Sequence, residues 1–207
     1  MKVAVEVAVT VALATSNPHK VKETGSILVA RGLKLVPPDK FVEVVEDGDT
    51  FEANAILKAV ANAKLNNLYC VGEDSGLEVN FLDGMPGVYS ARFSELDGEV
   101  VLREARDLKN NEKLLKLLEG QSNRSGQYVC ALALANPKGE VIFTGRGECK
   151  LNVGYETRGR NGFGYDFICS PIEFPGRYFS ELSAEEKNQI SHRSKAWERL
   201  IEFLRNY

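Results

Sequence analysis

The sequence predicts an α/β protein in which helices pack on a mixed β-sheet. Two observations support this prediction: strand-like apolar runs alternate with helical patterns in the first half of the chain, and a hairpin signal follows in the second half. The 207 residues are 43% hydrophobic and 27% charged. That composition suits one domain over residues 1–207 with a sizeable apolar core.

The chain begins with the order strand, helix, strand. Residues 2–14 alternate with period two and predict a strand, which Thr15-Ser16-Asn17-Pro18 ends. A helical pattern then runs from His19 to Arg31 and stops at Gly32, and a short strand follows over 33–36. This alternation is the main argument for the α/β class.

The next region contains a second helix and two short strands. Asp49 and Glu52 have the spacing of a capping box, which predicts a helix through about Leu65. Residues 69–73 and 77–82 are predicted to be separate strands. The tetrad Glu73-Asp74-Ser75-Gly76 lies between them, and on its own it reads as an ordinary turn, with Gly76 as the turn glycine.

The second half is predicted to contain a charged helix, a hairpin and two C-terminal helices. The hairpin signal is Asn136-Pro137-Lys138-Gly139, which joins two apolar runs. The predicted elements are a helix over Glu99–Leu118, strands over 127–135 and 140–152, a short strand over 167–169, a short helix capped by Ser183 with Glu186, and a helix from about Ser191 to Arg205.

Composition and charge exclude several classes of function. The net charge of −3 argues against general attraction to nucleic acid, so an anionic ligand would need a local cluster of Lys and Arg. No run predicts a membrane span or a signal peptide, and we therefore expect a cytoplasmic protein with neither nucleic acid nor membrane as a partner. The four cysteines are far apart in sequence and predict buried free thiols: Cys70, Cys130, Cys149 and Cys169.

Two segments are candidates for binding phosphate. Thr15 to Lys20 lies where a strand meets a helix, so it is either a plain helix cap or an anion site with free N–H groups and a lysine. Asn54 and Lys58 are four residues apart and share one helix face. That face is either solvated, or it directs Lys58 at a phosphate beside metal-binding carboxylates. Glu46 with Glu73 or Asp74 would suffice for Mg²⁺.

Two later segments are candidates for binding a base. Gly162 to Asp166 combines glycines with Phe163 and Tyr165, which is typical of a turn with core aromatics but also offers planar faces for stacking. His192 and Arg193 begin a helix among basic residues, with Lys187 upstream. Cations at a helix N-terminus are unfavourable unless an anion or acceptor compensates them, although a solvated first turn is the alternative.

Six short motifs occur in an order and spacing that resembles the Ham1 family, the inosine/xanthosine triphosphate pyrophosphatases. The resemblance extends from about residue 12 to the C-terminus. The motifs are Ala14-Thr15-Ser16-Asn17-Pro18-His19-Lys20, Phe51-Glu52-Ala53-Asn54-Ala55-Ile56-Leu57-Lys58-Ala59, Asp74-Ser75-Gly76-Leu77, Gly87-Val88-Tyr89-Ser90-Ala91-Arg92, Gly162-Phe163-Gly164-Tyr165-Asp166 and Ile190-Ser191-His192-Arg193.

The resemblance implies an elongated, two-lobed fold with a nucleotide cleft between the lobes, and a homodimer. It implies Mg²⁺-dependent hydrolysis of ITP, dITP and XTP to the monophosphate and pyrophosphate, which cleanses the nucleotide pool. It implies Asp74 as general base and Glu46 with Asp74 as metal ligands. The substrate-binding residues that it implies are Thr15, Ser16, Asn17, Pro18, His19, Lys20, Lys58, Ser75, Phe163, Gly164, Tyr165, Asp166, Lys187, His192 and Arg193.

The chain departs from the usual family pattern at a few positions. Glu73 stands where an aspartate is usual, which leaves the role of the first acid open while Asp74 is kept. Arg160 and Asn161 replace smaller residues of the glycine-rich loop. Two other readings remain: a Maf-type pyrophosphatase for modified pyrimidine nucleotides, and a nucleotide-binding protein without catalysis. The Ser191-His192-Arg193 segment favours the purine reading, and retention of Glu46, Asp74 and Lys20 favours catalysis.

Overall fold

A mixed β-sheet forms the centre of the computed structural model, which describes residues 11–29, 31, 35–36, 38–98, 102 and 105–207. Within these residues the sheet has six strands in the order β2-β1-β3-β4-β5-β6. β1 is parallel to β2 and β3, and the remaining pairs are antiparallel. The strands are β1 (Val11–Ala14), β2 (Leu35–Val36), β3 (Cys70–Val79), β4 (Ser125–Ala135), β5 (Val141–Val153) and β6 (Cys169–Pro171).

Helices cover both faces of this sheet, so the predicted α/β class is confirmed. They are α1 (Pro18–Val29), α2 (Phe51–Asn66), α3 (Arg106–Leu117), α4 (Ala184–Ile190) and α5 (His192–Asn206). Within the described residues, 3₁₀ segments also occur at Asn80–Leu82, Gly87–Asp97, Gly164–Phe167 and Phe179–Glu181. No helix in the described part of the chain is long and apolar enough to cross a membrane.

The first lobe is the half of the sheet that contains β1, with a helix layer on each face. On one face, α2 packs through alanines onto small side chains of β4. On the other, α1 and α5 bury larger residues, among them Leu13, Ile27 and Trp197. Small residues on the α2 side let the helix approach the sheet closely, since neither surface projects beyond a methyl group at most of these positions.

The second lobe is built on the far ends of β3, β4 and β5. There, Leu77, Tyr128 and Leu151 form a separate apolar cluster with Phe93 and with Leu114 of α3. The long strands therefore pass through both lobes, and the middle of β3 lies where the apolar clusters of the two lobes meet. This arrangement confirms the two-lobed fold and places Asp74 at the junction.

The tetrad Glu73-Asp74-Ser75-Gly76 lies in the middle of a single strand, so the prediction of a turn between two strands was wrong. Cys70 to Val79 pairs continuously with β4. Gly76 has no positive φ; a Cβ at this position would come within 2.3 Å of Ser90 Oγ. Ser90 Oγ accepts a hydrogen bond from the backbone N–H of Leu77 at 2.9 Å. Gly76 thus serves close packing and not chain reversal.

Predictions of helix starts were confirmed at one helix and wrong at another. Ser183 and Glu186 form the predicted capping box of α4, with Ser183 Oγ accepting from Glu186 N at 3.2 Å. α2 is capped by Thr50 and not by Asp49, because Thr50 Oγ1 accepts from Ala53 N at 3.1 Å. The hairpin of β4 and β5 is confirmed, and all four cysteines are free and buried.

Other expectations differ in extent from the structure. Arg31 lies in a turn and not in α1, and the predicted strand over 167–169 is a 3₁₀ segment followed by β6. The predicted starts of the first strand and of the charged helix, and the stop at Gly32, lie outside the described residues.

Gly72 is expected to be intolerant of any side chain. A Cβ there would lie 2.0 Å from Ala55 O and 2.5 Å from Ala59 N, both backbone atoms of α2. We expect Gly72→Ala to lower the free energy of unfolding by about 1–3 kcal/mol through overpacking. Urea denaturation would measure this. Gly25→Ala is the matched control, since a Cβ at this helical position meets nothing within 4 Å and should be neutral or stabilise by up to about 1 kcal/mol. Equal stabilities of the two variants would contradict the packing argument.

Candidate active site

A cleft of about 270 Å³ opens where the two lobes meet. The β1–α1 junction, α2 and β3 form one side of it, and the segment around Phe163 with the start of α5 forms another. Most of the residues predicted from the sequence line this cleft: Thr15, Ser16, Asn17, Lys20, Glu46, Lys58, Asp74, Ser75, Phe163, Gly164, Tyr165, Asp166, Lys187, His192 and Arg193. Pro18 and His19 do not; both are exposed at the start of α1.

The β1–α1 junction is both a helix cap and a wall of the cleft. Asn17 Oδ1 accepts from the backbone N–H of His19 at 2.9 Å and of Lys20 at 3.4 Å. Thr15 Oγ1 accepts from Asn17 N at 3.2 Å, which fixes the turn. Lys20 lies in the first turn of α1, and its Nζ is 3.7 Å from Glu73 Oε1. The positive end of the helix and one lysine therefore face the same space.

Lys58 is the centre of a cluster on the floor of the cleft. Its Nζ lies 2.7 Å from Glu46 Oε2 and 2.9 Å from Asp74 Oδ1, and it donates to Glu73 O at 3.2 Å. Asn54 Nδ2 donates to the other carboxylate oxygen of Asp74 at 3.2 Å. The Asn54–Lys58 face of α2 is buried, so the interpretation as a solvated face was wrong.

The charges in this cluster stabilise one another. Burial acts to lower the pKa of Lys58, but Asp74 and Glu46 outweigh it and raise that pKa above its usual value. Lys58 is therefore protonated near pH 7. It holds two carboxylates from different segments against the same side of the cleft, which brings Glu46 within reach of Asp74.

The carboxylates of Glu46 and Asp74 suit a hard divalent cation in partnership with a substrate. Each lies within 2.9 Å of the same ammonium nitrogen, so their oxygens are close neighbours. Mg²⁺ is commonly bound by one or two carboxylates together with substrate phosphates and water, and this donor set fits that pattern. Among the described residues, no group of three or more His, Cys, Asp and Glu side chains could hold a metal ion without such a contribution.

Glu73 points away from Asp74 and is paired with Arg193. Arg193 Nε and Nη2 each lie 2.9 Å from Glu73 Oε1, and Nη2 also donates to Ser75 Oγ at 3.2 Å. Glu73 and Arg193 are both fully buried. Glu73 Oε2 has no hydrogen-bond partner among the described residues. The first acid of the tetrad thus anchors the start of α5 to β3.

Glu23 of α1 joins this network, although the sequence did not predict it as a site residue. Its Oε2 pairs with Arg193 Nη1, and its Oε1 lies 2.7 Å from Lys187 Nζ. Lys187 also contacts Asp166 Oδ2 at 2.6 Å. Burial acts to raise the pKa of Glu23, but Arg193 and Lys187 together outweigh it and hold that pKa below its usual value. Glu23 is one turn beyond Lys20 on α1, a spacing that could have suggested a shared face.

His192 is a buried polar residue that lines the cleft. It lies at the first position of α5, and its Nδ1 has no hydrogen-bond partner among the described residues. Burial, with Arg193 and Lys187 nearby, lowers the pKa of His192 well below its usual value. The imidazole is therefore neutral near pH 7, with one N–H donor and one acceptor nitrogen.

The neutral state of His192 is expected to make the protein less stable in mild acid. A histidine whose folded pKa is depressed binds a proton more readily in the unfolded chain, so stability falls as the pH drops below about 6.5, by up to about 1.4 kcal/mol per pH unit. We expect His192→Asn to weaken this fall between pH 7 and pH 5. Urea unfolding of both proteins at several pH values would measure it. Parallel curves for the two proteins would contradict the assignment.

Several further residues line the cleft without having been predicted. Arg92 Nη2 donates to the backbone oxygen of Glu46 at 3.4 Å, and Asp107 accepts from Gly164 N at 2.8 Å. Phe41, Val42 and Val44 supply an apolar wall. Arg92 is part of a quoted motif, so its motif could have indicated it. The wall residues carry no local signal beyond a short apolar run.

The chain is similar to known proteins over nearly its whole length. The sequence model of the Ham1 family matches residues 11–203. A relative from Desulforamulus reducens named dITP/XTP pyrophosphatase is 44% identical over 93% of this chain and 94% of its own length. A relative of the same name from Clostridium tetani is 41% identical over 96% of this chain and 97% of its own length.

A solved structure has the same fold. A Ham1 protein from Coxiella burnetii superposes with a TM-score of 0.82 at 33% identity, covering 96% of this chain and all of that chain. With the family match over nearly the whole chain, this confirms the resemblance drawn from the motifs. The chain belongs to the Ham1 family, a family of nucleoside triphosphate hydrolases.

Proposed function

We propose that the protein hydrolyses the non-canonical purine nucleoside triphosphates ITP, dITP and XTP to the monophosphate and pyrophosphate. The observation that carries the proposal is the Lys58 cluster: it gathers Asp74 and Glu46 in a cleft that the β1–α1 junction and His192 also line. The names of the relatives from Desulforamulus reducens and Clostridium tetani support this substrate class.

The triphosphate is proposed to bind at the β1–α1 junction, with Thr15, Ser16 and Asn17 around it. Lys20 and Lys58 are proposed to neutralise its charge, aided by the dipole of α1. Among the described residues, the ion pair of Lys20 is the 3.7 Å contact with Glu73, so Lys20 can turn toward a phosphate without breaking a short ion pair there. Positioning and charge neutralisation are what phosphoryl-type transfer chiefly requires.

Asp74 is proposed to act as general base on the attacking water. Asn54 and Lys58 hold its carboxylate from two sides, which fixes its orientation before substrate arrives. Mg²⁺ held by Glu46 and Asp74 would supply charge neutralisation on the phosphate oxygens. Attack at the α-phosphorus releases pyrophosphate, whereas attack at the γ-phosphorus would release orthophosphate.

The base is proposed to bind between the segment around Phe163 and the start of α5. Phe163 to Asp166, Lys187, His192 and Arg193 surround this end of the cleft. His192 and Arg193 are proposed to donate to the 6-oxo group of hypoxanthine and xanthine. Arg193 already binds Glu73, Glu23 and Ser75, so His192, whose Nδ1 is unpartnered, is the more available of the two.

A panel of nucleotides with Mg²⁺ tests the proposal. ITP, dITP and XTP should yield pyrophosphate, and ATP should be disfavoured by about 5- to 150-fold because a 6-amino group leaves a buried donor unpaired. Release of orthophosphate, or no hydrolysis, would contradict the proposal. Hydrolysis of modified pyrimidine triphosphates in preference to ITP would favour the Maf-type reading. Chelation of the metal should abolish turnover. The homodimer and the cytoplasmic location stay predictions.

A further inference from the structure

His19 and Phe163 stack on each other at the mouth of the cleft. Their ring centroids are 4.9 Å apart and their planes differ by 17°. His19 is the second residue of α1, and Phe163 directly precedes the 3₁₀ segment Gly164–Phe167. The stack therefore connects the helix that begins at the proposed phosphate end of the cleft to the loop at the proposed base end.

We propose that His19 is a positioning residue for purine binding: it holds the ring of Phe163 in place and does not itself touch the substrate. The inference rests on the proposed function, because it concerns the end of the cleft assigned to the base. It gives His19 a different role from the phosphate contact that the sequence motif implies.

The backbone on either side of Phe163 is fixed by hydrogen bonds. Phe163 N donates to Asp166 Oδ2 at 3.0 Å, and Gly164 N donates to Asp107 Oδ2 at 2.8 Å. Neither bond restrains the side chain of Phe163, which is only half-buried. A partly exposed aromatic ring changes rotamer on a picosecond to nanosecond timescale unless it is packed. The ring therefore needs a partner if it is to form a wall of the cleft.

One aromatic ring and one ammonium group provide that packing. His19 stacks on the ring, and Lys187 Nζ lies 5.2 Å from the ring centroid. Lys187 is itself held by Glu23 and Asp166, so its position is set by ion pairs. The stack with His19 is thus the contact that can be changed without disturbing a buried charge.

The position of His19 argues against a direct contact with the substrate. Its side chain is exposed and does not line the cleft, whereas its neighbours Asn17 and Lys20 do. Its backbone N–H is taken by Asn17 Oδ1. The imidazole is directed at Phe163, so its effect on the substrate passes through that ring.

Three variants of His19 separate stacking from hydrogen bonding. His19→Phe keeps an aromatic ring and loses the nitrogens, His19→Gln keeps a polar side chain and loses the ring, and His19→Ala loses both. An aromatic pair contributes about 2- to 12-fold to a binding constant beyond its buried area. We therefore expect KM for ITP to rise by about this factor in His19→Gln and His19→Ala, with kcat unchanged, while His19→Phe retains the wild-type KM.

Inorganic tripolyphosphate provides the matched ligand without a base. Its inhibition constant should be the same for the wild type and all three variants, because the proposed effect is confined to the base. The inference would be overturned if the inhibition constant rose in His19→Ala, or if the KM for ITP stayed unchanged in both His19→Ala and His19→Gln. A wild-type KM in His19→Gln together with a raised KM in His19→Phe would also overturn it. Absence of ITP hydrolysis by the wild type would overturn the proposed function and the inference with it.

Discussion

Asp74→Asn is expected to lower kcat for ITP by about 10²- to 10⁴-fold, the usual contribution of a positioned general base. The amide can still fill the space between Asn54 and Lys58, but it cannot take a proton from water at neutral pH. One of its two hydrogen bonds is also lost, because a carboxylate oxygen that accepts in the wild type becomes an NH₂ group. Single-turnover kinetics with ITP and Mg²⁺ would measure the loss.

Glu78→Gln is the matched control for this prediction. Glu78 lies on β3 as Asp74 does, but it pairs with Arg146 and Gln127 and does not line the cleft. The same carboxylate-to-amide change there should leave kcat unchanged. Binding of ITP to Asp74→Asn, measured by calorimetry, should persist, which would show that the variant is folded. Retained binding together with lost turnover would also exclude a nucleotide-binding protein without catalysis. A kcat of Asp74→Asn within tenfold of the wild type would contradict the role of Asp74 as base.

Arg193→Met is expected to lower the free energy of unfolding by about 3–5 kcal/mol, the usual cost of removing one partner from a buried ionic network. The guanidinium contacts Glu73, which is fully buried, and also Glu23. Methionine fills much of the volume but leaves both carboxylates without this cation. Urea unfolding at pH 7 would measure the effect.

Arg177→Met is the control for the buried network. Arg177 forms a bidentate pair with Glu186, with Nη1 at 2.7 Å from Oε1, but its side chain is 43% exposed. Exposed pairs contribute about 0–1 kcal/mol, so this variant should be nearly as stable as the wild type. Equal losses in the two variants would contradict the argument from burial.

The pH dependence of Arg193→Met follows from the carboxyl group of Glu23. In the wild type its pKa is lowered, so its stabilising contribution is present above the ordinary carboxyl pKa and is lost only as the pH falls through the lower folded value. Removing Arg193 takes away one of the two cations that lower this pKa, so that burial, which raises it, is opposed by Lys187 alone. The difference in stability between variant and wild type should therefore shrink as the pH falls from 7 toward 4.5. A constant difference would contradict the contribution of Glu23.

The helix and hairpin patterns could be predicted wherever the signal was local. The Ser183–Glu186 capping box and the β4–β5 hairpin were correctly found, since each depends on residues close in sequence. The continuity of β3 could not be predicted in this way. Gly76 looked like a turn residue, yet it occurs because Ser90 leaves no room for a Cβ, just as α2 leaves no room for one at Gly72. Local sequence carries no signal of which distant backbone will pack against a glycine.

The same division applies to the site. Motifs predicted that the β1–α1 junction, Asp74 and the start of α5 belong together, and the structure brings them to one cleft. The partners of each charge could not be predicted: that Glu73 faces Arg193 while Asp74 faces Lys58 depends on the alternation of side chains along an unbroken strand. Glu23 could not be predicted as a site residue because its partners lie on α4 and α5, far away in the chain.

The sequence by itself determined the α/β class, the Ham1 resemblance and most of the charged side chains that line the cleft, because these follow from periodicity and from ordered motifs. Only the tertiary structure decided what those side chains do to one another. It placed the two acids of the tetrad on opposite faces of β3, it showed Lys58 to be the centre of a buried cluster and not part of a solvated face, and it stacked His19 on Phe163. The physical reason is that charge pairing and ring stacking are contacts between elements, and their geometry exists only once those elements have packed.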